Sequence, residues 1–224
     1  MKKLKHIICS VIIGSLMIGV CACSSKGKAT LTYIGHASVK IVASDGTVLY
    51  IDPSYNGDYS DDADYILVTH QHDDHKPNPN LTLKEGGRLI DNLEALHDGI
   101  YETYELGPFK VEAVPAGGNP NHNVKYCVGY LVTVDGITIY HAGDTSKIEQ
   151  MGDLKSRNID YAMFPIDGIY NMDAIEATEA AALVGAKHNI PIHEFDQGGS
   201  KKSDNFNPDG KLVIEYGGTI TLKK

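Results

Sequence analysis

The chain lacks tryptophan and has only two arginines, Arg88 and Arg157, among its 224 residues. Its 20 lysines and arginines stand against 29 aspartates and glutamates, which gives a net charge of −9. Most of the affinity of a protein for nucleic acid comes from basic side chains that neutralise phosphates. A nucleic-acid partner is therefore not expected. A composition of 42% hydrophobic and 22% charged residues is typical of a globular protein.

The first residues have the pattern of an export signal. Lys2, Lys3 and Lys5 precede the apolar run Ile7–Val20, which is too short to span a bilayer comfortably. Val20-Cys21-Ala22-Cys23 is similar to the lipobox of bacterial lipoproteins, in which the cysteine after the cleavage site receives lipid. We therefore expect a signal peptide at 1–22, lipidation at Cys23, a tether at 23–29 and a domain at 30–224. Cys21 as the lipidated residue and ordinary secretion are the alternatives.

The interpretation as a lipoprotein predicts the state of Cys127 and the location of the protein. If Cys23 carries lipid, Cys127 has no intrachain partner, and its place in the strand-like run 126–133 predicts a small core residue. The expected location is extracytoplasmic, with the lipid as the only contact with the membrane.

The rest of the chain predicts short strands separated by turns. Asp45-Gly46 and Asp135-Gly136 are hairpin signals, and each leads through a strand to an aspartate, which indicates two related β halves. The strongest helix signal runs from Asp173, as N-cap, to Ala186, with Glu176 completing a capping box. Weaker helices are predicted at 93–97 and 146–154. Strands are predicted at 31–34, 39–43, 48–51, 65–68, 126–133, 189–192, 212–216 and 219–222.

One segment concentrates metal-ligand chemistry. The apolar strand 65–69 runs directly into His70-Gln71-His72-Asp73-Asp74-His75. Imidazole and carboxylate groups in a tight loop can serve two neighbouring metal ions. This spacing is far more specific than a lone histidine in a polar turn.

The order of these residues resembles the metallo-β-lactamase superfamily, whose members carry H-x-H-x-D-H, then a histidine, an aspartate and a final histidine. The resemblance implies an α/β fold of four layers (αββα), with two sheets inside and helices outside. It implies that His70, His72 and His122 hold one metal, that Asp74, His75 and His193 hold another, and that Asp144 bridges them. His141 is the alternative to His122 as a ligand.

Further segments are similar to a small group within that superfamily that contains the ascorbate-6-phosphate lactonase. These are the segments Ile34-Gly35-His36-Ala37-Ser38, Ile51-Asp52-Pro53, the run from Tyr140 to Thr145, Pro165-Ile166-Asp167-Gly168, and Met172-Asp173 with Glu176-Ala177. A similar start occurs in N-acyl-phosphatidylethanolamine phospholipases D. His36 and Asp52 are expected to orient the metal-bound histidines through hydrogen bonds.

The resemblance implies a hydrolase that uses a metal-activated water on an ester, lactone or phosphodiester, with Asp74 orienting that water or accepting its proton. Two divalent ions are expected, zinc first, with manganese or iron as alternatives. Two other functions stay open: a non-catalytic metal- or solute-binding surface lipoprotein, and a di-iron redox protein. The residues expected to line the substrate pocket are Tyr55, Asn56, Asn119, Tyr170 and Asn171.

Overall fold

A computed structural model describes residues 27–194 and 202–224. The predicted signal peptide, the predicted lipidation site Cys23 and most of the predicted tether lie outside these ranges. Within them, no helix is both long enough and apolar enough to span a bilayer.

Six strands form the first sheet, in the spatial order β14-β1-β2-β3-β4-β5. Along the sheet, three antiparallel pairings are followed by two parallel ones. The strands are β1 (Thr30–Gly35), β2 (Ser38–Val42), β3 (Val48–Ile51), β4 (Ala63–Leu67), β5 (Leu83–Ile90) and β14 (Gly218–Thr221).

The second sheet repeats this pattern of pairings in the order β8-β9-β10-β11-β12-β13. The two related halves predicted from the D-G segments are therefore visible in the strand order. Its strands are β8 (Thr103–Leu106), β9 (Phe109–Pro115), β10 (Val128–Val134), β11 (Ile137–His141), β12 (Tyr161–Pro165) and β13 (His188–Ile192). A small hairpin, β6 (Leu96–His97) and β7 (Ile100–Tyr101), lies between the two sheets along the chain.

The main core lies between the sheets and follows the two-residue period of the strands. Leu49 and Ile51 of β3 face it from the first sheet, and Val132 and Tyr130 of β10 face it from the second. The residues between them in each strand point to the outer faces of the sheets, as Tyr50 does. Burial of these apolar faces is the main force that holds the two halves together.

The outer faces are covered differently. Helix α2 (Ala174–Val184) and the 3₁₀ segment Glu149–Arg157 pack over the second sheet. Over the first sheet, the described residues are loop residues such as Tyr59, which packs against Tyr50. The predicted α/β sandwich is confirmed, with its helices concentrated on one side. A four-residue helix, α1 (Asn92–Ala95), follows β5, and the 3₁₀ turn Lys202–Asn205 lies near the C-terminus.

Several local predictions are confirmed and others are wrong. Asp173 is the N-cap of α2 and accepts hydrogen bonds from the backbone N–H groups of Ile175 and Glu176. The Glu176 carboxylate accepts the backbone N–H of Lys147, so it ties the helix to the preceding loop. The predicted strand at 212–216 is irregular, with one bridge at neighbouring Lys211. Strand β5 was not predicted, because its edge position leaves most of its side chains exposed.

Candidate metal centre

Loops at one end of the two sheets bring the predicted site residues together. The loop after β4 carries the segment from His70 to His75, and Asp144 and His193 follow the ends of β11 and β13. His36 lies in the β1–β2 turn and His122 in the β9–β10 loop. Both halves of the fold therefore contribute side chains to a single cluster.

The first group of possible ligands consists of His70, His72 and His122, whose ligand nitrogens all lie within 4.8 Å of one another. His70 and His122 are buried, whereas His72 is exposed and opens the group to solvent. The buried Nε2 of His70 has no hydrogen-bond partner among the described residues. Buried polar atoms are nearly always paired, so this nitrogen fits a metal ligand.

The second group consists of His36, Asp74, His75 and His193, again with ligand atoms within 4.8 Å of one another. It contains the three residues predicted for the second metal, together with His36. The His36 imidazole lies 3.1 Å from Oδ2 of Asp74, and its ring centroid lies 3.7 Å from that of His193.

Asp144 lies between the two groups. Its Oδ1 is 3.3 Å from Nε2 of His75, and its Oδ2 is 3.3 Å from Nε2 of both His122 and His193. Two ligand atoms on one tetrahedral zinc ion, each bonded at about 2.0–2.2 Å, would be about 3.3–3.5 Å apart. One carboxylate thus faces ligands of both groups at separations that suit shared ions, and the residues present fit a two-metal site.

A buried carboxylate orients the segment after β4. Asp52 Oδ2 lies 2.8 Å from Nδ1 of His75, and both carboxylate oxygens accept hydrogen bonds from Thr69, from its N–H and its hydroxyl. The Thr69 hydroxyl also lies 3.1 Å from Nδ1 of His70. Asp52 therefore contacts one candidate ligand directly and reaches a second through Thr69, the role that the sequence predicts for it.

Asp167 performs a similar task for His193, a role that the sequence does not predict. Its Oδ2 lies 3.1 Å from Nδ1 of His193, and its side chain is fully buried. Its Oδ1 accepts backbone N–H groups of Ile169 and Tyr170, while Asn171 donates to Oδ2. The signal available in the sequence was a carboxylate directly after a buried strand.

Three site residues adopt the left-handed backbone conformation that is uncommon outside glycine. The φ angles are 54° at His36, 46° at Asp52 and 53° at His193. Such positions cost about 1–3 kcal/mol each and cluster at functional sites. The backbone carbonyl of His36 accepts the N–H of His193 at 2.7 Å, so one turn fixes two members of the second group.

Charges in the cluster are strongly coupled. Burial, reinforced by neighbouring His75, lowers the pKa of His70 to about 3, so this imidazole stays neutral, as a metal ligand requires. Burial also works to lower the pKa of His193, but Asp144 and Asp167 outweigh it and raise the value to about 9. Burial opposes ionisation of Asp144, yet His75 and His193 hold its pKa well below the usual range.

The structure separates His122 from its rival His141. The ring nitrogens of His141 are both hydrogen-bonded to backbone, at 2.9 Å to the Ala37 carbonyl and at 3.2 Å from the Gly143 N–H, and the side chain is fully buried. His122 instead lies beside Asp144, in a loop whose shape is set by Asn119. The side-chain amide oxygen Oδ1 of Asn119 accepts the backbone N–H groups of Asn121 and His122.

The predicted pocket residues take different positions. Tyr170 and Asn121 line the cleft over the cluster, and this cleft has a volume of about 290 Å³. Asn119 and Asn171 make hydrogen bonds that shape their own loops. Tyr55 packs its ring against Gly35, and Asn56 is exposed in the loop after β3.

Comparison with known proteins agrees with this geometry. Residues 30–193 match the family described as the beta-lactamase superfamily domain. The chain belongs to the metallo-β-lactamase superfamily. Within it, the chain is 33% identical over 190 residues to the UPF0173 metal-dependent hydrolase of Pyrococcus furiosus, a match that covers 73% of this chain and 83% of the relative. It is 34% identical over 193 residues to that of Nitratidesulfovibrio vulgaris strain DP4, covering 73% and 79%.

Solved structures of the superfamily give the same result. A protein from Parabacteroides distasonis described as a metal-dependent hydrolase is 31% identical, with a TM-score of 0.69 over 83% of this chain and 92% of that one. The metallo hydrolase Igni18 from Ignicoccus hospitalis shares the fold at 20% identity, with a TM-score of 0.66 over 88% and 99%. The expected metallo-β-lactamase-fold hydrolase is confirmed.

Proposed function

We propose that this chain cleaves an ester, lactone or phosphodiester at a site for two divalent ions, with zinc as the first candidate metal. The observation that carries the proposal is the position of Asp144, whose carboxylate lies 3.3 Å from His122 of the first group and 3.3 Å from His75 and His193 of the second. A site for one ion would need no carboxylate between two ligand groups.

When bound, two such ions would lower the pKa of a water molecule towards about 7 and polarise the bond to be cleaved. The side chains hold the rest of the chemistry. Asp74 is half-exposed beside the cleft, and its hydrogen bond from His36 holds the pKa of its carboxyl well below the usual range. It therefore stays ionised and can orient a water by accepting its hydrogen bond, whereas the lowered pKa makes it a weak proton acceptor.

His36 and Asp167 complete the arrangement as positioning residues. His36 holds Asp74 from one side and packs on His193 from the other. Asp52 and Asp167 accept hydrogen bonds from the imidazoles of His75 and His193, which fixes the direction of each ring. These hydrogen bonds direct the other ring nitrogen of each histidine towards the cluster.

Location and partners extend this proposal beyond the described residues. The lipobox-like segment supports an extracytoplasmic hydrolase anchored by lipid at Cys23 that acts on a small molecule. Similarity of the segments around His36, Asp52 and Asp144 supports kinship with the lactonase-like group.

Cys23→Ala should abolish labelling by radioactive acyl chains and release the protein from the membrane fraction. Label retained by that variant would contradict the assignment.

Metal analysis with a charge-removing variant tests the two-metal site. We expect about two ions per chain in the wild type and about one or fewer in Asp144→Asn, with turnover of a cleaved ester down at least about 100-fold. The control is Asp160→Asn, which removes another buried carboxylate, one that is bonded to Lys187 at the opposite end of the strands. Two tightly held ions and normal turnover in Asp144→Asn would refute the bridging role.

The same experiment addresses the non-catalytic alternative. Two bound ions without turnover on ester, lactone and phosphodiester panels would identify a metal- or solute-binding surface protein with this fold. Hydrolysis that disappears on chelation and returns with added metal would exclude that alternative.

A further inference from the structure

A second cleft lies beside the candidate metal centre, and its lining differs from the first. The cleft over Asp74, Asp144 and Tyr170 is lined by charged ligands. The neighbouring cleft, of about 280 Å³, contains Gln71, Leu93, Asn121, Tyr126 and Cys127, and it also contains His70 and His72. We call it the neutral cleft. Because both clefts include His72 and Asn121, a molecule cleaved at the metal centre can extend into the neutral cleft.

We infer that the neutral cleft binds an uncharged, partly apolar portion of the substrate, and that the substrate is a neutral ester or lactone with an alkyl or acyl chain. This inference rests on the proposed hydrolase function. The reaction needs no other reactant: water adds to the acyl carbon, the carbon–oxygen bond breaks, and the alcohol oxygen leaves with a proton.

Apolar side chains at the mouth of the neutral cleft support an apolar ligand. Leu93 is 59% exposed and Tyr126 is 62% exposed, although both are large hydrophobic residues. Val124, which is 40% exposed, lines the adjoining cleft that also contains Tyr126. A lone exposed apolar residue needs no explanation, but several around a cleft that adjoins a reactive centre are typical of a ligand site.

The lining carries no group suited to a phosphate or carboxylate. Gln71 donates its amide N–H to the side-chain oxygen of Asn92. The side-chain amide N–H of Asn92 donates to the Tyr126 carbonyl. These hydrogen-bonded amides form an uncharged part of the lining. Burial raises the pKa of the Cys127 thiol to about 12, which keeps it uncharged. Recognition of a phosphate usually requires arginine or lysine with two or more donors.

Cations near the cleft in the described part of the chain are directed elsewhere. Lys76 pairs with Asp73 at 2.7 Å, and Arg88 pairs with Glu94. Lys125 lines an adjoining cleft beside Leu96 and Asp98. Lys125 is therefore the residue that an anionic substrate would have to use, which makes it the informative control.

A series of p-nitrophenyl esters from acetate to octanoate tests the inference with metal-loaded protein. We expect kcat/KM to rise by about two- to fourfold for each added methylene until the cleft is filled, as expected from burial of about one CH₂ at a time. Leu93→Ser should lose most of the octanoate-to-acetate ratio while it retains the metal content of the wild type. Lys125→Gln should keep the wild-type ratio.

Two kinetic results would overturn the inference. One is hydrolysis with no dependence on chain length. The other is a preference for bis(p-nitrophenyl) phosphate that disappears in Lys125→Gln. A protein that holds two ions and turns over no ester or phosphodiester would instead contradict the proposed hydrolytic function.

A binding measurement decides the ligand class even without turnover. Because the chain contains no tryptophan, Tyr126→Trp introduces a single tryptophan as a reporter at the mouth of the neutral cleft. In metal-free protein, where no ion can bind the phosphate, we expect its emission to shift to the blue with hexanamide and to stay unchanged with hexyl phosphate at the same concentration. An equal shift with hexyl phosphate, or no shift with hexanamide, would refute an apolar, neutral ligand.

Discussion

The two sheets have the same strand order, yet their loops do different work. In the first half, β4 leads into a string of four candidate ligands, whereas the equivalent strand of the second half, β12, leads to Asp167 alone. In the second half, β13 ends at His193, whereas the equivalent β5 ends next to Asp91, which caps α1. The shared strand framework places loop residues at one end, and the loop sequences then divide the roles between the halves.

The β1–β2 and β9–β10 loops give the sharpest form of this comparison. They join equivalent strands, and each places one histidine in the cluster, His36 and His122. His122 contacts the central carboxylate of Asp144, whereas His36 contacts Asp74. Equivalent loops thus supply a proposed ligand in one half and a proposed positioning residue in the other.

The largest expected effect comes from replacing each of these two histidines separately. His122→Gln removes one of three ligands of its group, and we expect kcat/KM to fall by at least about 100-fold with loss of about one ion per chain. His36→Gln should retain both ions at saturating metal and lose about tenfold in affinity for the second ion. Elemental analysis and chelator competition measure both, with the exposed His188 at the start of β13, as His188→Gln, as control. Equal loss of metal in the two variants would make His36 a ligand.

A second comparison concerns the carboxylates Asp52 and Asp167. Each accepts a hydrogen bond from a candidate ligand histidine, so Asn at either position should weaken metal affinity by about 10- to 100-fold. We expect both variants also to lose about 1–3 kcal/mol of unfolding free energy, because an amide cannot accept all the hydrogen bonds that each buried carboxylate accepts. Urea denaturation and chelator competition test this. Wild-type stability in either variant would contradict the structural part of its role.

The sequence predicts the side chains that meet in the cluster better than it predicts the residues that orient them. The string from His70 to His75 carries its chemistry in adjacent residues, and its spacing is readable without a fold. Asp167 is one of many carboxylates near strand ends, and only the packing of β12 beside β13 brings it to His193. The sequence predicts Asn119 and Asn171 in the pocket as polar residues, with Asn119 close to His122 in the chain. In the structure, their amides bind backbone and carboxylate groups of their own loops.

The D-G turns allow a smaller comparison, of stability alone. Asp135 has φ of 49° and its carboxylate accepts the N–H and hydroxyl of Ser44, in the turn of the other half. Asp45 has no positive φ and accepts the Thr47 N–H. We expect Asp135→Ala to cost about 1–2 kcal/mol, since alanine is disfavoured in the left-handed region, and Asp45→Ala to cost about half as much. Thermal unfolding of both variants measures the difference, and a larger loss in Asp45→Ala would contradict it.

The smallest expected effect concerns an ion pair on the helix-covered outer face of the second sheet. Arg157 of the 3₁₀ segment makes two hydrogen bonds, at 2.6 and 2.7 Å, to Glu112 of β9 under the helical layer. Burial would raise the pKa of Glu112, but the hydrogen bonds from Arg157 and Lys110 lower it overall. The stabilisation is therefore present above about pH 4.5 and is lost as pH falls through the lower folded value.

Because Arg157 is partly exposed, the pair should contribute less than about 1 kcal/mol. We expect Arg157→Met to be slightly less stable than the wild type at pH 7, and we expect this difference to shrink as pH falls from 4.5 to 3. Urea denaturation at the two pH values measures this. A stability difference that persists unchanged at pH 3 would show that Arg157 acts through packing of its stem rather than through its charge.

The hydrogen bond from the N–H of His193 to the carbonyl of His36 has a consequence for the order of folding. It joins the turn after the first strand to the end of the thirteenth, so the contact can form only when nearly the whole domain has been synthesised. The three-histidine group draws on residues up to His122 and lies far earlier in the chain. During synthesis, a nascent chain can therefore bring His70, His72 and His122 together before the second group is complete. Under the proposed two-metal function, the second position would be filled last, once β13 has docked beside β12.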